Sequence, residues 1–398
     1  MPRELPHPGL FIEEASQGLH PITGVPTSVT AFVGVAQVGP LYSPLSITSL
    51  TEFESHFGSV TSAPDLWCTV RAFFDNGGKQ ALVVRVRAPS PHRRTTGLPG
   101  SRARKTGLYA LERVERFNLL CLTPVTPGAD VPIATYRNAL AYCQERRAML
   151  LIDPPAEWKP ASSTLVQGFV NHLIPSQDTL GRPAANAMMY FPRIWVDDPV
   201  ITGALRLIGP AGAVAGFIAR TDETRGVWKA PAGTEATVAG VSKLRFMMSD
   251  DDVASLSSQG VNCLRPVLDR VVIWGARTLD GHNELGSEWK YLNVRRFALF
   301  LESSIREGLT WVALEPNEEP LWMKVRQVVE QFLHEQWKHG ALLGIKPDEA
   351  FFVKCDQTTM TQQDLEQGRL VCLIGIAPIR PAEFIIVRIV KETANYLP

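Results

Sequence analysis

The chain has 398 residues, with 40 Lys+Arg against 40 Asp+Glu, so its formal net charge is zero. At roughly 150 residues per domain that length suggests two or three domains, and 45% hydrophobic residues with 9 Trp and 17 Phe exclude a disordered chain. The charge balance excludes the chain-wide basic footprint of a nucleic-acid binder, and no apolar run approaches the roughly 18–20 residues of a membrane span. Charged residues are only 20% of the chain, and a near-neutral, charge-poor surface favours association. Met1-Pro2-Arg3-Glu4 lacks an apolar signal region, which predicts a leaderless chain made in the cytoplasm. Cys68, Cys121, Cys143, Cys263, Cys355 and Cys372 are scattered without a C-x-x-C pair and read as reduced, mostly buried residues.

Residues 1–30 are extended in character, because Pro2, Pro6, Pro8, Pro21 and Pro26 forbid a long helix. Leu10-Phe11-Ile12-Glu13 is a short strand between them. Ala31–Ala36 reads as a buried strand ended by Gly39-Pro40. Helices follow over Leu50–Phe57, stopped by Gly58, and from Asp65 to the cap signal Asn76-Gly77-Gly78. Ala81–Val86 is another buried strand.

Residues 88–107 form a Pro/Gly-rich linker or insertion loop. Arg85, Arg87, Arg93, Arg94, Arg102, Arg104 and Lys105 lie in or beside it with no acid from Arg85 to Leu111. Such a loop could meet phosphate or an acidic protein surface, but no aromatic residue interleaves the Arg for base stacking.

Residues 108–280 alternate strand and helix. The strands are Phe117–Leu122, Ala148–Ile152, Ala187–Phe191, Val261–Leu264 and Val271–Trp274. The helices are Ile133–Arg147, Leu165–Leu173, Ala211–Ala219 and Asp250–Leu256. This alternation argues an α/β layer with a largely parallel sheet.

Residues 291–398 read as an α+β unit. Val294, Phe297, Leu301 and Ile305 recur at helical spacing before Gly308. Trp311–Leu314 reads as a strand. Pro320 opens a long helix whose stripe is Trp322, Val325, Val329, Phe332 and Trp337, ended by Gly340. Phe351–Cys355, Leu370–Ile374 and Glu383–Val390 are strands.

Catalytic patterns fail. Gly77-Gly78-Lys79 lacks the rest of a phosphate loop. Gly209, Gly212 and Gly216 have the wrong spacing for a dinucleotide fingerprint and favour close helix packing instead. His334 and His339 are five residues apart and diverge by roughly 140° on a helix, so they cannot share a metal. No metal and no cofactor is expected. Ser249-Asp250-Asp251-Asp252 reads as helix capping. Asp153 at a strand end, with His172 nearby, is the best enzyme alternative, an α/β hydrolase. The bland reading of Asp153 is a turn residue. A nucleic-acid binder using Arg93–Lys105 is the other alternative. The terminal Phe384-Ile385-Ile386-Val387-Arg388-Ile389-Val390 would aggregate if left unpaired at an edge, so its own sheet or another subunit's must cover it.

Several segments together resemble contractile tail sheath proteins. They are Pro8–Glu14, Pro26-Thr27-Ser28 with Ala31–Ala36, Gly212–Gly233 (GAVAGFIARTDETRGVWKAPAG), Tyr291–Trp322 and Phe351–Phe384. They run in order over nearly the whole chain; residues 88–107 and 156–185 do not match.

The resemblance implies α/β plus α+β architecture. A subtilisin-like middle domain lacking that enzyme's activity would be joined to a C-terminal α+β domain, with extended N- and C-terminal strand arms. The expected divisions are an arm at 1–24, sheath core at 25–87, the basic loop at 88–107, the α/β domain at 108–290, the inner domain at 291–381 and an arm at 382–398. The resemblance implies stacked hexameric rings wound around an inner tube protein, with baseplate and terminator or cap proteins and sheath isoforms as further partners. It implies neither nucleic-acid binding nor membrane insertion. Leu10, Phe11, Ile12 and Glu13, and Phe384, Ile385, Ile386, Val387, Arg388 and Ile389, would be strands donated to neighbours. The Pro320–Gly340 helix would face the tube through Lys324, Gln327, Gln331, His334 and Lys338. The resemblance implies a phage tail or a tail-like device assembled in the bacterial cytoplasm, with any later exposure outside the cell by a route other than secretion.

Overall fold

The computed structural model describes residues 20–59, 65–88, 98–126, 128–160, 163–174, 183–281, 287–379 and 385–392, with backbone alone at 163–165, 183 and 385–392. The first strands are β1 (Thr30–Val35), β2 (Leu45–Ile47), β3 (Ala81–Val86), β4 (Leu119–Leu122), β5 (Met149–Ile152) and β6 (Ala187–Phe191). With β10 (Asn262–Val267) and β11 (Arg270–Trp274) they form one eight-stranded sheet of order β11-β10-β6-β5-β4-β1-β3-β2. The six inner strands are parallel, and β2 and β11 close the two edges antiparallel. β1 lies between β3 and β4, so residues before and after 88–107 share this sheet.

Parallel strands with both faces covered read as continuous apolar runs, and these do. Phe32, Val83, Leu119, Cys121, Leu151 and Tyr190 face one core, with α1 (Leu50–Phe57), α2 (Asp65–Asp75) and α5 (Ala211–Arg225). Ala31, Val33, Val84, Leu120, Leu150 and Met189 face the other, with α3 (Ile133–Glu145), α4 (Ser163–Leu173) and α6 (Asp250–Ser258). Each fully buried Phe or Leu contributes about 1.5–3 kcal/mol. The caps follow the sequence: Ser49 Oγ accepts from the Glu52 N–H, and Ser249 with Asp252 forms a capping box.

β7 (Ile194–Asp197), β8 (Leu205–Ile208) and β9 (Lys243–Leu244) make a small antiparallel sheet beside α2, which the sequence pattern did not announce. The C-terminal unit packs α7 (Leu292–Gly308) and α8 (Glu319–Lys338) on a sheet of β12 (Phe351–Lys354), β13 (Arg369–Ile376) and β14 (Ile385–Glu392), with short helices α9 (Pro347–Ala350) and α10 (Gln362–Glu366).

One expectation needs correction. Trp311–Leu314 is not a strand. Residues Thr310–Val312 form a 3-10 turn, because the Val312 N–H closes back on the Leu309 carbonyl. Val312 is buried while Leu314, at φ +81°, is 78% exposed. Of the 88–107 loop, residue 88 and residues 98–107 are described. Residues 98–107 fold into a turn, with the Ser101 N–H on Thr106 Oγ1. Arg102 pairs with Glu145 at 2.7 Å and Glu112 at 3.3 Å. Arg93 and Arg94 lie outside the described residues.

The two units are tied by a buried ion pair. Arg296 on α7 grips Asp222 on α5 with Nη1–Oδ1 at 2.8 Å and Nη2–Oδ2 at 2.5 Å, and both side chains are nearly inaccessible. Thr27 Oγ1 donates to Asp222 at 2.6 Å, and Arg296 Nη2 donates to the Thr27 carbonyl at 3.0 Å. The segment 20–27 therefore runs extended along α7. Ile22 sits over Gly308, the Val25 N–H bonds Ser304 Oγ, and His20 stacks on Trp311 at 5.3 Å.

Candidate assembly surfaces

In open α/β sheets, ligands bind outside the carboxyl ends of the strands. Here that place is a cleft of about 20 Å³ lined by Asp65, Thr69, Tyr136, Asp153, Arg193 and Gly209, room for about one water. Asp153 Oδ1 accepts from the Ala211 N–H at 2.9 Å and so caps α5 from the end of β5. Its carboxyl abuts Gly209, where any Cβ would collide with it. Burial pushes Asp153 up to about 6, against the opposing pull of Arg193 and the Ala211 N–H. Arg193 is itself held by Asp130 and by the Pro154 carbonyl. His172 lies elsewhere, exposed on α4 with Nδ1 against the Gly168 carbonyl at 2.7 Å. The structure gathers acids and arginines at the strand ends but does not join the Asp153/His172 pair in that cleft. Asp153 holds a helix end.

The outer face of α8 carries its polar residues as the spacing implied. Trp322, Val325, Val328, Val329, Phe332 and Leu333 are buried. Lys324, Gln327, Gln331 and Lys338 are exposed, and His334 is half-buried against Trp337 at 5.5 Å. His339 instead lies parallel to Trp228 at 6.5 Å, so the two histidines have different aromatic neighbours. Lys338 Nζ meets Glu335 at 3.1 Å. Sequence reasoning passed over three exposed apolar residues nearby: Leu314 before α8, Met323 beside Lys324, and Ile345, 89% exposed, after it. Each ends or follows an apolar run (Trp311–Leu314, Leu321–Met323, Ala341–Leu343), so no local pattern marks its exposure.

The terminal strands divide. Leu10–Glu13 and Phe384 lie outside the described residues. Ile385–Ile389 begin β14, which pairs antiparallel with β13 of the same chain from Ile376↔Ile385 to Arg369↔Glu392. β12 and β14 are the sheet's two edges.

The segment Gly212–Gly233 forms the junction. α5 ends at Gly226, whose φ of +90° and contact with the Trp228 ring exclude a side chain. Val227 enters the C-terminal core, and Trp228 packs edge-on to Phe297 at 6.3 Å while the Asn293 amide bonds its carbonyl.

Comparison with known proteins agrees with this arrangement. Residues 284–391 match the phage tail sheath C-terminal domain family. The chain is similar to the sheath complex of PVC, an extracellular contractile injection system, in its contracted state, with 26% identity, 98% of each chain covered and a TM-score of 0.73. It is also similar to the helical sheath of the anti-feeding prophage (AFP) in its contracted state: 27% identity, 96% of this chain and 98% of that chain, TM-score 0.72. The tail sheath protein of Vibrio phage KVP40 is 24% identical over 195 residues, 48% of this chain and 27% of that protein. The matched stretch spans about a quarter of the length of the curated relatives. These relatives define a class of structural assembly subunits, not enzymes. The C-terminal residues 284–391 thus match the tail sheath domain family, and the chain as a whole is similar to contractile sheath subunits.

Proposed function

We propose that the chain is the sheath subunit of a contractile tail or injection system, polymerising into stacked hexameric rings around an inner tube and contracting to drive that tube through a target envelope. The observation that carries this reading is its similarity, over 98% of both chains, to an injection-system sheath in its contracted state. Similarity that spans nearly all of each chain favours an injection-system subunit. The α/β layer is read as a subtilisin-like scaffold whose strand-end space is filled by structural acids and arginines, in keeping with the general separation of fold from activity.

In this reading residues 1–24 and 382–398 are arms around a core at 25–87 and 108–290, the loop 88–107, and an inner domain at 291–381. Leu10–Glu13 and Phe384–Ile389 are strands supplied to neighbouring subunits. The pairing of β14 with β13 favours this indirectly: the same register can be filled in trans when residues 377–384 open away from their own sheet. A non-closing chain of such exchanges generates a filament. Lys324, Gln327, Gln331, His334 and Lys338 face the tube. Baseplate and terminator or cap proteins bind the ends, alongside sheath isoforms. Subunits rotate as near-rigid bodies during contraction, and the contracted state buries more intersubunit area. The particle assembles in the bacterial cytoplasm as a phage tail or phage tail-like device.

Truncation tests the arms. Chains lacking 1–14 or 382–398 are expected to remain folded monomers by circular dichroism and cooperative melting, yet to form no polymer in sedimentation. Loss of the monomer fold would make β14 an intrinsic part of its own sheet and refute the exchange.

A further inference from the structure

Two cysteines meet across β12 and β13. The antiparallel register runs Phe351↔Ile376, Val353↔Ile374 and Lys354↔Leu373, so the next step sets Cys355 opposite Cys372. Strand alternation puts both on the inward face shared by Phe351, Val353, Ile374 and Ile376. Cys355 is 2% exposed and Cys372 is 1% exposed, both in the core beneath α8. Residues directly opposite in an antiparallel pair have Cα atoms about 4.5–5.5 Å apart. A disulfide accepts about 4.4–6.8 Å, so the backbone already fits one. Both thiols are free here.

We propose that Cys355 and Cys372 are a modification site, a cross-strand thiol pair that a peroxide converts to a disulfide. Their surroundings assign the order of events. The neighbouring Cys372 thiol and, more weakly, Arg326 hold the Cys355 thiol below its usual range despite burial. The same contact, with burial, pushes Cys372 up. Cys68, Cys121, Cys143 and Cys263 are all pushed up by burial and are weaker nucleophiles. Cys355 directly follows the last residue of β12, next to the half-exposed Asp356.

The Cys355 sulfur attacks one peroxide oxygen. The O–O bond breaks, the leaving hydroxide takes the thiol proton to become water, and Cys355 becomes a sulfenic acid. The Cys372 sulfur then attacks the Cys355 sulfur. The S–S bond forms, the S–O bond breaks, and hydroxide leaves with the second thiol proton as water. Two thiols and one hydrogen peroxide give one disulfide and two waters. The product closes the loop 356–371 and fixes β12 to β13, the strand whose other edge receives β14.

The test uses the full chain, purified reduced, exposed to hydrogen peroxide, then denatured, alkylated and mapped by mass spectrometry. The expected result is loss of alkylation at Cys355 and Cys372 together, a linked peptide pair from one chain that dithiothreitol releases, and full alkylation of the other four. In Cys372→Ser, Cys355 is expected to give a dimedone adduct. Full alkylation of both cysteines after peroxide, separate sulfinic acids, or linkage between chains would overturn the proposal. The mapping of the unaltered chain decides this whether or not the variant folds.

Discussion

At the residue scale, polar groups joined across long stretches of sequence carry the architecture. Asp153 is the plainest case. Burial raises it to about 6 from an ordinary value of 3.8, so the folded chain holds a proton that the unfolded chain has lost between about pH 4 and 6. Stability therefore falls as pH rises through that window. At about 1.4 kcal/mol for each unit, the ionised carboxylate costs up to about 3 kcal/mol at neutral pH. Asp153→Asn keeps an oxygen for the Ala211 N–H and removes the charge. Urea unfolding is expected to show the variant more stable by about 1–3 kcal/mol at pH 7 and equal to the parent below pH 4. Parallel pH profiles for the two proteins would contradict this. The acid at the end of the strand was visible in the sequence; its partner, 58 positions away, was not. The same holds for the Thr27–Asp222–Arg296 knot, whose members are separated by 195 and 74 positions. No local pattern encodes such a contact.

At the element scale, long apolar periodicities were legible and short half-exposed ones were not. The parallel strands announced themselves because both faces are buried. β7, β8 and β9 are two to four residues long with partly exposed ends, too short to show alternation. The 3-10 turn at Thr310–Val312 misread as a strand because the four apolar residues Trp311–Leu314 in a row carry no period.

Helix packing on α5 was read correctly from its glycines. A Cβ at Gly212 would lie 2.1 Å from the Thr69 carbonyl oxygen, and one at Gly216 would lie 2.2 Å from that of Phe73. Backbone cannot swing aside, so Gly216→Val is expected to destabilise by about 3 kcal/mol, at the upper end of overpacking costs. Gly168 on α4 has open space, and Gly168→Ala should gain up to about 1 kcal/mol. Thermal melts of both variants check the contrast. For α8, the pair Lys324→Glu and Lys338→Glu lies on an exposed face and, with the Lys338–Glu335 pair lost in the last turn, should lower stability by only about 1 kcal/mol. Pull-down with the tube partner should nonetheless fall, because complementary charge governs such contacts. Unchanged co-assembly would remove α8 from the tube interface.

At the scale of the whole molecule, a closed α/β layer is bolted to a sheet that offers edges. The bolt is the α5–Gly226–Trp228 turn with the Arg296–Asp222 pair, and the segment 20–27 runs over it toward Trp311. In the proposed reading the layer serves as a rigid body while the C-terminal sheet and the terminal segments supply connections. Strand exchange between subunits was an expectation from resemblance alone, since whether an edge strand pairs within its chain or across chains leaves the same apolar run. The most direct test is electron microscopy of the purified full chain, alone and with its tube partner. The account predicts cylinders of stacked six-fold rings, filled in one state and wider with an open lumen in the other. Monodisperse monomers under both conditions would contradict it.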